Sequence, residues 1–540
     1  MQISLTMFWS NFLLFGACVA ADLPTATIDA GAIIGTTTAF PSSSTTVNKF
    51  LGVPFAAPPK RFMPAENPEP WIEPLDTKIA SAACIQQFRY PEDYRNLTLS
   101  FLNNPAPEES EDCLYLNIYA PDSPSPGKGR AVLFWIFGGG LWLGHAAYPT
   151  YDGSHFAAYE DVIVVAPNYR TNIFGFPNAP SQNQNLGFLD QRLALDWVQR
   201  NIASFGGDPA KVTIFGESAG AFSVDALITS YPSGTTPPFR AGIMQSGELS
   251  YRGAPNPGLK YPEGALAWDA IVKGLNCTNS TVEESFACVQ NAPADVVKDV
   301  GERQQLLFTP VQDNETYVSD FKARRQAGNI ARVPLIIGTN QDEGSILGGL
   351  FFDDLNTYLT TTFGDRLTPE LLKRIEEVYP LGSAEFPTTF KTITAIEGDI
   401  SMLCGAALVA NDTAESGLPT WRYIYNATFP STAFLPNIGV YHTSEIAMVF
   451  STYPTPANPN TLPTTQQYFL SNLMRSAWAR FAKDPISGPG WNAVGSGADY
   501  LEGDKAGDIA VLWEEGVKVK KQEDVDRRCA VWSEVLRGKV

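Results

Sequence analysis

The sequence predicts an α/β protein built on a large, mostly parallel central sheet flanked by helices. Three observations carry this. Short β-branched, apolar runs recur along most of the chain, segments with apolar residues at helical spacing separate them, and one such run passes through a tight glycine turn directly into a helix. The clearest strands are Val132 to Phe137, Val162 to Ala166, Val212 to Phe215 and Pro334 to Ile337. Between the second and third, Leu189, Leu193, Trp197 and Ile202 recur at helical spacing before the turn Phe205-Gly206-Gly207-Asp208-Pro209, which completes one β-α-β unit. No internal repeat, low-complexity tract or linker divides the chain after Ala21, so a single domain over residues 21–540 is expected. Large α/β enzymes do build one sheet at this scale.

The composition narrows the function classes. Apolar residues at 44% can fill a sizeable core, and 44 Gly with 41 Pro point to ordered turns and surface loops rather than disorder. A net charge of −19 with no local Lys/Arg cluster argues against nucleic acid as a partner and mainly serves solubility. Met1 to Ala20 carry no charged side chain, contain Phe12-Leu13-Leu14-Phe15 and lead to small residues at Ala17, Ala20 and Ala21. This reads as a cleaved secretion signal over residues 1–20, too short in its apolar part to span a bilayer. No later apolar run approaches membrane-spanning length, so no stable membrane anchor and an extracellular location are expected.

Of seven cysteines, Cys18 leaves with the signal and Cys84, Cys113, Cys277, Cys288, Cys404 and Cys529 remain, a number that can pair completely. None has the close spacing of a zinc site, so no metal is expected. Sequons at Asn96, Asn276, Asn279, Asn314, Asn411 and Asn426 fit an extracellular glycoprotein.

Lys211 to Phe215 is an apolar strand that enters Gly216-Glu217-Ser218-Ala219-Gly220 and then the helix-compatible Ala221 to Leu227. A sharp elbow of this kind strains the serine backbone and exposes its Oγ, and glycines two residues to either side relieve the crowding. Ser218 is therefore the candidate nucleophile. Upstream, Val132 to Phe137 opens into Gly138-Gly139-Gly140, unhindered backbone N–H groups that can receive an oxyanion together with the amide of Ala219. The chain holds three histidines, and a general base must be one of them if the mechanism is Ser-His-acid. Where the order is Ser, acid, His, only His442 qualifies, which leaves His145 and His155 to structure. For the acid, Val333 to Gly338 leads to Asp342-Glu343-Gly344, and either carboxylate could accept the imidazole N–H or cap a helix. The residues alone do not choose.

Taken together, Gly52-Val53-Pro54-Phe55-Ala56, Glu111 to Asn117, Asp190-Gln191, Phe205 to Pro209 and Gly216 to Gly220 make the chain resemble the type-B carboxylesterase/lipase family from about Gly52 to Trp532. The resemblance implies an α/β-hydrolase fold and a secreted serine ester hydrolase that needs no cofactor. It also implies Glu343 as the acid, His442 of Gly439-Val440-Tyr441-His442 as the base, and Gly139, Gly140 and Ala219 as oxyanion donors. It pairs Cys84 with Cys113, Cys277 with Cys288 and Cys404 with Cys529, and it suggests the supporting ion pairs Arg61–Glu111 and Arg170–Asp190. Phe137 and Leu141 depart from the residues usual around the glycine loop. The segment between Cys84 and Cys113 lacks the Trp on which cholinesterases hold a quaternary ammonium, which argues against choline esters.

The expected substrate is a small apolar or medium-sized ester. Glu217, Trp142 and, on the acyl side, Phe308 are its candidate contacts, with a purely structural carboxylate the stronger reading of Glu217. Phe88, Tyr90, Tyr94 and Phe101 in the segment 85–112 could form a gorge wall, a lid or a plain surface loop. Two alternatives stand beside the esterase. One is a lipase acting on long-chain acylglycerols, and the other is a non-catalytic adhesion protein, disfavoured because Ser218, Glu343 and His442 are all present. Neither the physiological ester nor the oligomeric state is written in the sequence.

Overall fold

The computed structural model describes residues 23–180, 184–248, 264–495 and 508–538. The expected secretion signal, Met1 to Ala20, lies outside them. The centre of the molecule is an eleven-stranded sheet. Its strands are β1 (Thr36–Thr38), β2 (Val47–Pro54), β3 (Tyr115–Pro121), β4 (Arg130–Ile136), β5 (Ile163–Pro167), β6 (Gly207–Glu217), β7 (Ala241–Gln245), β8 (Leu335–Asn340), β9 (Thr420–Tyr425), β10 (Ile509–Trp513) and β11 (Gly516–Lys520). In space they run β1-β2-β3-β5-β4-β6-β7-β8-β9-β10-β11. Every neighbouring pair from β5 through β10 is parallel, and the pairs at the two edges are antiparallel.

The apolar runs become central strands because both faces of a parallel sheet are covered. Every residue of β4 (RAVLFWI) and of β8 (LIIGTN) is buried. The four strands read from the sequence correspond to β4, β5, β6 and β8, with ends displaced by a few residues. Helices α1 (Glu92–Leu102), α2 (Leu186–Asn201), α3 (Ala219–Ser230) and α4 (Thr465–Lys483) are those that bear on the site. The α2 face carrying Leu186, Leu195, Trp197 and Val198 packs into the core, and α3 is buried from Gly220 through Thr229.

One turn differs from the expectation. Ile202–Phe205 closes as a 3-10 turn, Gly206 takes φ +82°, and β6 already begins at Gly207, so Asp208 and Pro209 are strand rather than turn. The ladder to β4 is interrupted between Gly207 and Val212, and this irregularity accommodates a proline that has no N–H to give. A second correction concerns length. Residues 389–415 form one helical run that is long and apolar enough to cross a membrane by length and composition, but most of its apolar window is buried inside the fold.

Three disulfides, Cys84–Cys113, Cys277–Cys288 and Cys404–Cys529, join the pairs that the resemblance implies. Arg170 and Asp190 form a buried ion pair at 2.7 Å, and Arg61 pairs with Glu111. Four of the sequon asparagines, Asn96, Asn276, Asn279 and Asn314, are exposed; Asn411 and Asn426 are half-buried.

Candidate active site

The carboxyl ends of β4, β6, β7 and β8 lie side by side, and each delivers one part of the site. β6 ends at Glu217, α3 starts at Ala219, and Ser218 between them has φ 55° and ψ −122°, a strained conformation for a residue with a Cβ. The glycines of the elbow are sterically obligatory. A Cβ on Gly220 would stand 1.9 Å from the Ile136 carbonyl oxygen, and one on Gly216 would stand 2.6 Å from the same atom. Gly220→Ala is therefore expected to destabilise the fold by about 2 kcal/mol or more and to remove activity together with it, as thermal unfolding and ester hydrolysis on one preparation will show.

The glycine loop after β4 sits directly on this elbow. A Cβ on Gly138 would approach the Cβ of Ser218 to 3.0 Å, while Gly139 and Gly140 use φ +102° and +67° to turn the chain. Among the described residues no hydrogen bond is made by the amides of Gly139, Gly140 or Ala219, which leaves them available to an oxyanion. Trp142 follows the loop and lays its ring over Gly140, where a Cβ would come to 2.8 Å.

The candidate acid and the candidate base are in contact. Glu343 Oε2 lies 2.6 Å from His442 Nδ1, and its Oε1 accepts the Asn340 amide at 2.6 Å. Both side chains are buried. Asp342 does something else. Its Oδ2 accepts the Val440 amide at 2.9 Å, its own amide donates to the Val440 carbonyl at 2.9 Å, and Lys391 approaches Oδ1 at 3.4 Å. One carboxylate thus reaches the imidazole while its neighbour holds the segment that carries it.

On the other ring nitrogen, His442 Nε2 lies 3.3 Å from Glu217 Oε1. Among the described residues Ser218 Oγ makes no hydrogen bond to His442. Such contacts are commonly loose without substrate and tighten in the complex. Three buried carboxyl groups, Glu217, Glu343 and Glu445, surround one imidazole. Glu445 receives Gln245 Nε2 at 2.9 Å and Asn340 Nδ2 at 2.6 Å, and Gln245 in turn accepts Trp478 Nε1 at 2.9 Å. Asn340, Gln245 and Glu445 were not singled out from the sequence. The available signal was an amide-bearing residue ending each of two apolar strands and a glutamate three residues after His442.

The remaining candidates are distributed more widely. Phe308 is fully buried in the core, so it is not an open substrate contact in this structure. Burial lowers the His145 and His155 pKa values to about 4, and the rings pack on Tyr148 and Phe40. The segment 85–112 contains α1 and is more than a surface loop. Its Phe101 stacks on Phe434 at 4.0 Å and against Tyr441, the neighbour of His442, at 5.6 Å.

A model of the carboxylesterase family matches residues 22–501. The chain belongs to the carboxylesterase family. It is 32% identical to an acetylcholinesterase of Bungarus fasciatus over 468 residues, covering 81% of this chain and 75% of that protein. It is also 32% identical to the para-nitrobenzyl esterase of Bacillus subtilis (strain 168) over 460 residues, with 81% and 86% covered. Acetylcholinesterase 1 of Caenorhabditis elegans is similar at 31% over 474 residues, 81% of this chain and 75% of that one. This carboxylesterase is accordingly a carboxylic ester hydrolase with the α/β-hydrolase fold, and its substrates are small-molecule esters.

Proposed function

We propose that this carboxylesterase is a secreted serine hydrolase that cleaves apolar or medium-sized esters through an acyl-enzyme, with Ser218 as nucleophile, His442 as base and Glu343 as its orienting acid. The observation that carries the reading is the 2.6 Å contact of Glu343 with His442 Nδ1, made beside a strained serine. With Nδ1–H donated to Glu343, Nε2 takes the Ser218 proton as Oγ attacks the ester carbonyl. The oxyanion that forms is received by the amides of Gly139, Gly140 and Ala219, an arrangement in which each donor is typically worth 10²–10³ in rate. His442 returns the proton to the leaving alcohol, and water then cleaves the acyl-enzyme by the same steps. The disulfides and the four exposed sequons support secretion as a glycoprotein.

A fluorophosphonate probe tests the reading. It should label the folded protein once, at the peptide containing Ser218, and abolish turnover. Folded protein that stays unlabelled overturns it. Rates should also be higher on soluble short-chain esters than on emulsified triglyceride; a jump above the solubility limit of the substrate would replace the esterase with a lipase.

The charges of the site add a pH signature. Burial alone would lower the His442 pKa, but the carboxylates of Glu217 and Glu343 outweigh it and lift the value to about 9. Burial also pushes Glu217 well above the ordinary carboxylate range. The two groups lie 3.3 Å apart, and the negative field of the two carboxylates holds a proton on the imidazole more tightly than a free imidazole holds it. Because the base must give up that proton to act, the acid limb of kcat/KM is expected above the value of about 6.5 of a free imidazole. In Glu217→Gln the limb should move down towards that value. A limb that does not move excludes Glu217 as a cause of the raised value.

A further inference from the structure

A cavity of about 400 Å³ lies beside the loop that carries Glu343, with Asn340, Gln341 and Asp342 in its wall. Neither Ser218, Glu343, His442 and Trp142 nor the glycine loop lines it, so it is separate from the catalytic groups. Sites for small ligands commonly measure about 300–1,000 Å³, and this one falls within that range. Its floor is apolar. Ile424 on β9 and Val511 on β10 form, with Ile509, a small buried cluster apart from the main core, and Leu403 and Val525 pack against it. Ile424, Val511, Leu403 and Val525 all face the cavity, joined by Phe386. Such a floor suits an alkyl or aryl group, which gains by leaving water.

The rim is charged, and its two signs are not equivalent. Most of its acids are already held. Asp399 accepts Arg528 Nε at 2.5 Å, Arg528 Nη2 at 3.0 Å and the Tyr379 hydroxyl at 2.7 Å. Glu385 accepts Arg527 and, at 3.1 Å, Arg528 Nη1, and Asp342 accepts the Val440 amide at 2.9 Å. Among the described residues only Asp524 of the lining acids has no side-chain partner. The cations have more to give. Lys391 lies 3.4 Å from Asp342, beyond the roughly 2.7–2.9 Å of a strong charged hydrogen bond, and is 41% exposed. Arg527 meets Glu385 through Nη2 alone, and Lys520 makes no side-chain hydrogen bond or ion pair among the described residues. Long, solvated cations on flexible stems can turn to an anion in the cavity, whereas short acids fixed on a backbone amide or an arginine cannot turn to a cation.

We propose that this cavity binds amphipathic monocarboxylates, the carboxylate drawn to the cationic rim of Lys391, Lys520 and Arg527 and the apolar part laid on Ile424, Val511 and Leu403. On the serine esterase reading above, on which this part of the inference rests, such acids are what hydrolysis of an apolar ester releases. The cavity is then a site for product outside the catalytic centre. It also touches the machinery indirectly. A carboxylate at Lys391 competes for the partner of Asp342, whose other oxygen holds the Val440 amide two residues before His442.

Isothermal titration at about 0.15 M salt tests the site with octanoate as probe, and with octan-1-ol and octylammonium as its neutral and cationic counterparts. The wild type is titrated untreated and after reaction with a bulky fluorophosphonate, which blocks binding of product at Ser218. Octanoate should still bind the treated protein saturably, about tenfold more tightly than octanol, and octylammonium more weakly than either. The double variant Lys391→Met/Lys520→Met should lower the octanoate-to-octanol affinity ratio by about tenfold. That ratio is taken within one protein, so a misfolded fraction drops out. Octanoate that binds untreated but not treated protein occupies the catalytic site and overturns the proposal. So do absence of binding, a ratio unchanged in the double variant, and octylammonium bound as tightly as octanoate. Folded protein that the fluorophosphonate leaves unlabelled defeats the esterase reading instead, and the ratio in untreated wild type and double variant still decides the cavity.

Discussion

Ser218→Ala is expected to lower kcat/KM by at least about 10⁴-fold while shifting the melting temperature by no more than a few degrees. The size of the loss follows from what the residue does. Without Oγ no acyl-enzyme can form, and the turnover left is what the oxyanion donors and binding alone provide over water, roughly 10³–10⁴. The small effect on stability follows from the local geometry. Alanine keeps the Cβ that already occupies the strained φ 55°, ψ −122° conformation, so the strain neither grows nor disappears. The backbone bonds that fix the elbow, from the Ser218 amide to the Gln245 carbonyl at 2.9 Å and from the Phe222 amide to the Ser218 carbonyl at 2.9 Å, do not involve the side chain. Steady-state rates on a soluble aryl ester and a thermal melt of the same sample check both halves. Turnover of even a few per cent of wild type would remove Ser218 from the role of nucleophile.

The parts of this site that were legible from the sequence are those that impose a steric or positional demand on consecutive residues. The elbow is an example, since the backbone crossing between β6, β4 and α3 leaves no room for a Cβ at Gly216 or Gly220, and that demand writes itself as two glycines around a serine. The buried strands declare themselves for a similar reason, because a sheet covered on both faces needs uninterrupted apolar runs. The base was reached by elimination among three histidines, which is an accident of composition rather than a physical signal. The network of Asn340, Gln245 and Glu445 was illegible because its bonds join positions 105 and 200 residues apart, and no local pattern encodes which amide meets which carboxyl. The same holds for Arg89 and Trp142, separate in sequence and stacked in space. Phe308, a candidate acyl-side contact by resemblance, is a buried apolar residue, and nothing in its local sequence separates a pocket wall from the core.

The adjacent acids are the sharpest case, and they yield the second large effect. Residues 342 and 343 stand side by side after β8, so a sequence that names both cannot say which one turns towards the histidine. In the folded chain they divide the work. Glu343→Gln is expected to lower kcat by about 10³- to 10⁴-fold with little change in KM, because an amide beside Nδ1 no longer stabilises the imidazolium and, by donating its N–H, favours the tautomer with the proton on Nε2, where it blocks attack. Asp342→Asn keeps an oxygen that can accept the Val440 amide, now at 2.9 Å from Oδ2, and gives up mainly the charge facing Lys391 at 3.4 Å. Its loss should stay below about tenfold, since a half-exposed ion pair contributes little. Asp342→Ala removes the acceptor as well and should fall between the two, since the turn at Gly439, with φ +78°, is packed against the Asp342 carboxylate and would lose its anchor. Rates for the three variants on one neutral ester separate an acid that touches the imidazole from an acid that holds the chain beneath it. Equal losses in Glu343→Gln and Asp342→Asn, or the reverse order, would assign the orienting role to the wrong carboxylate.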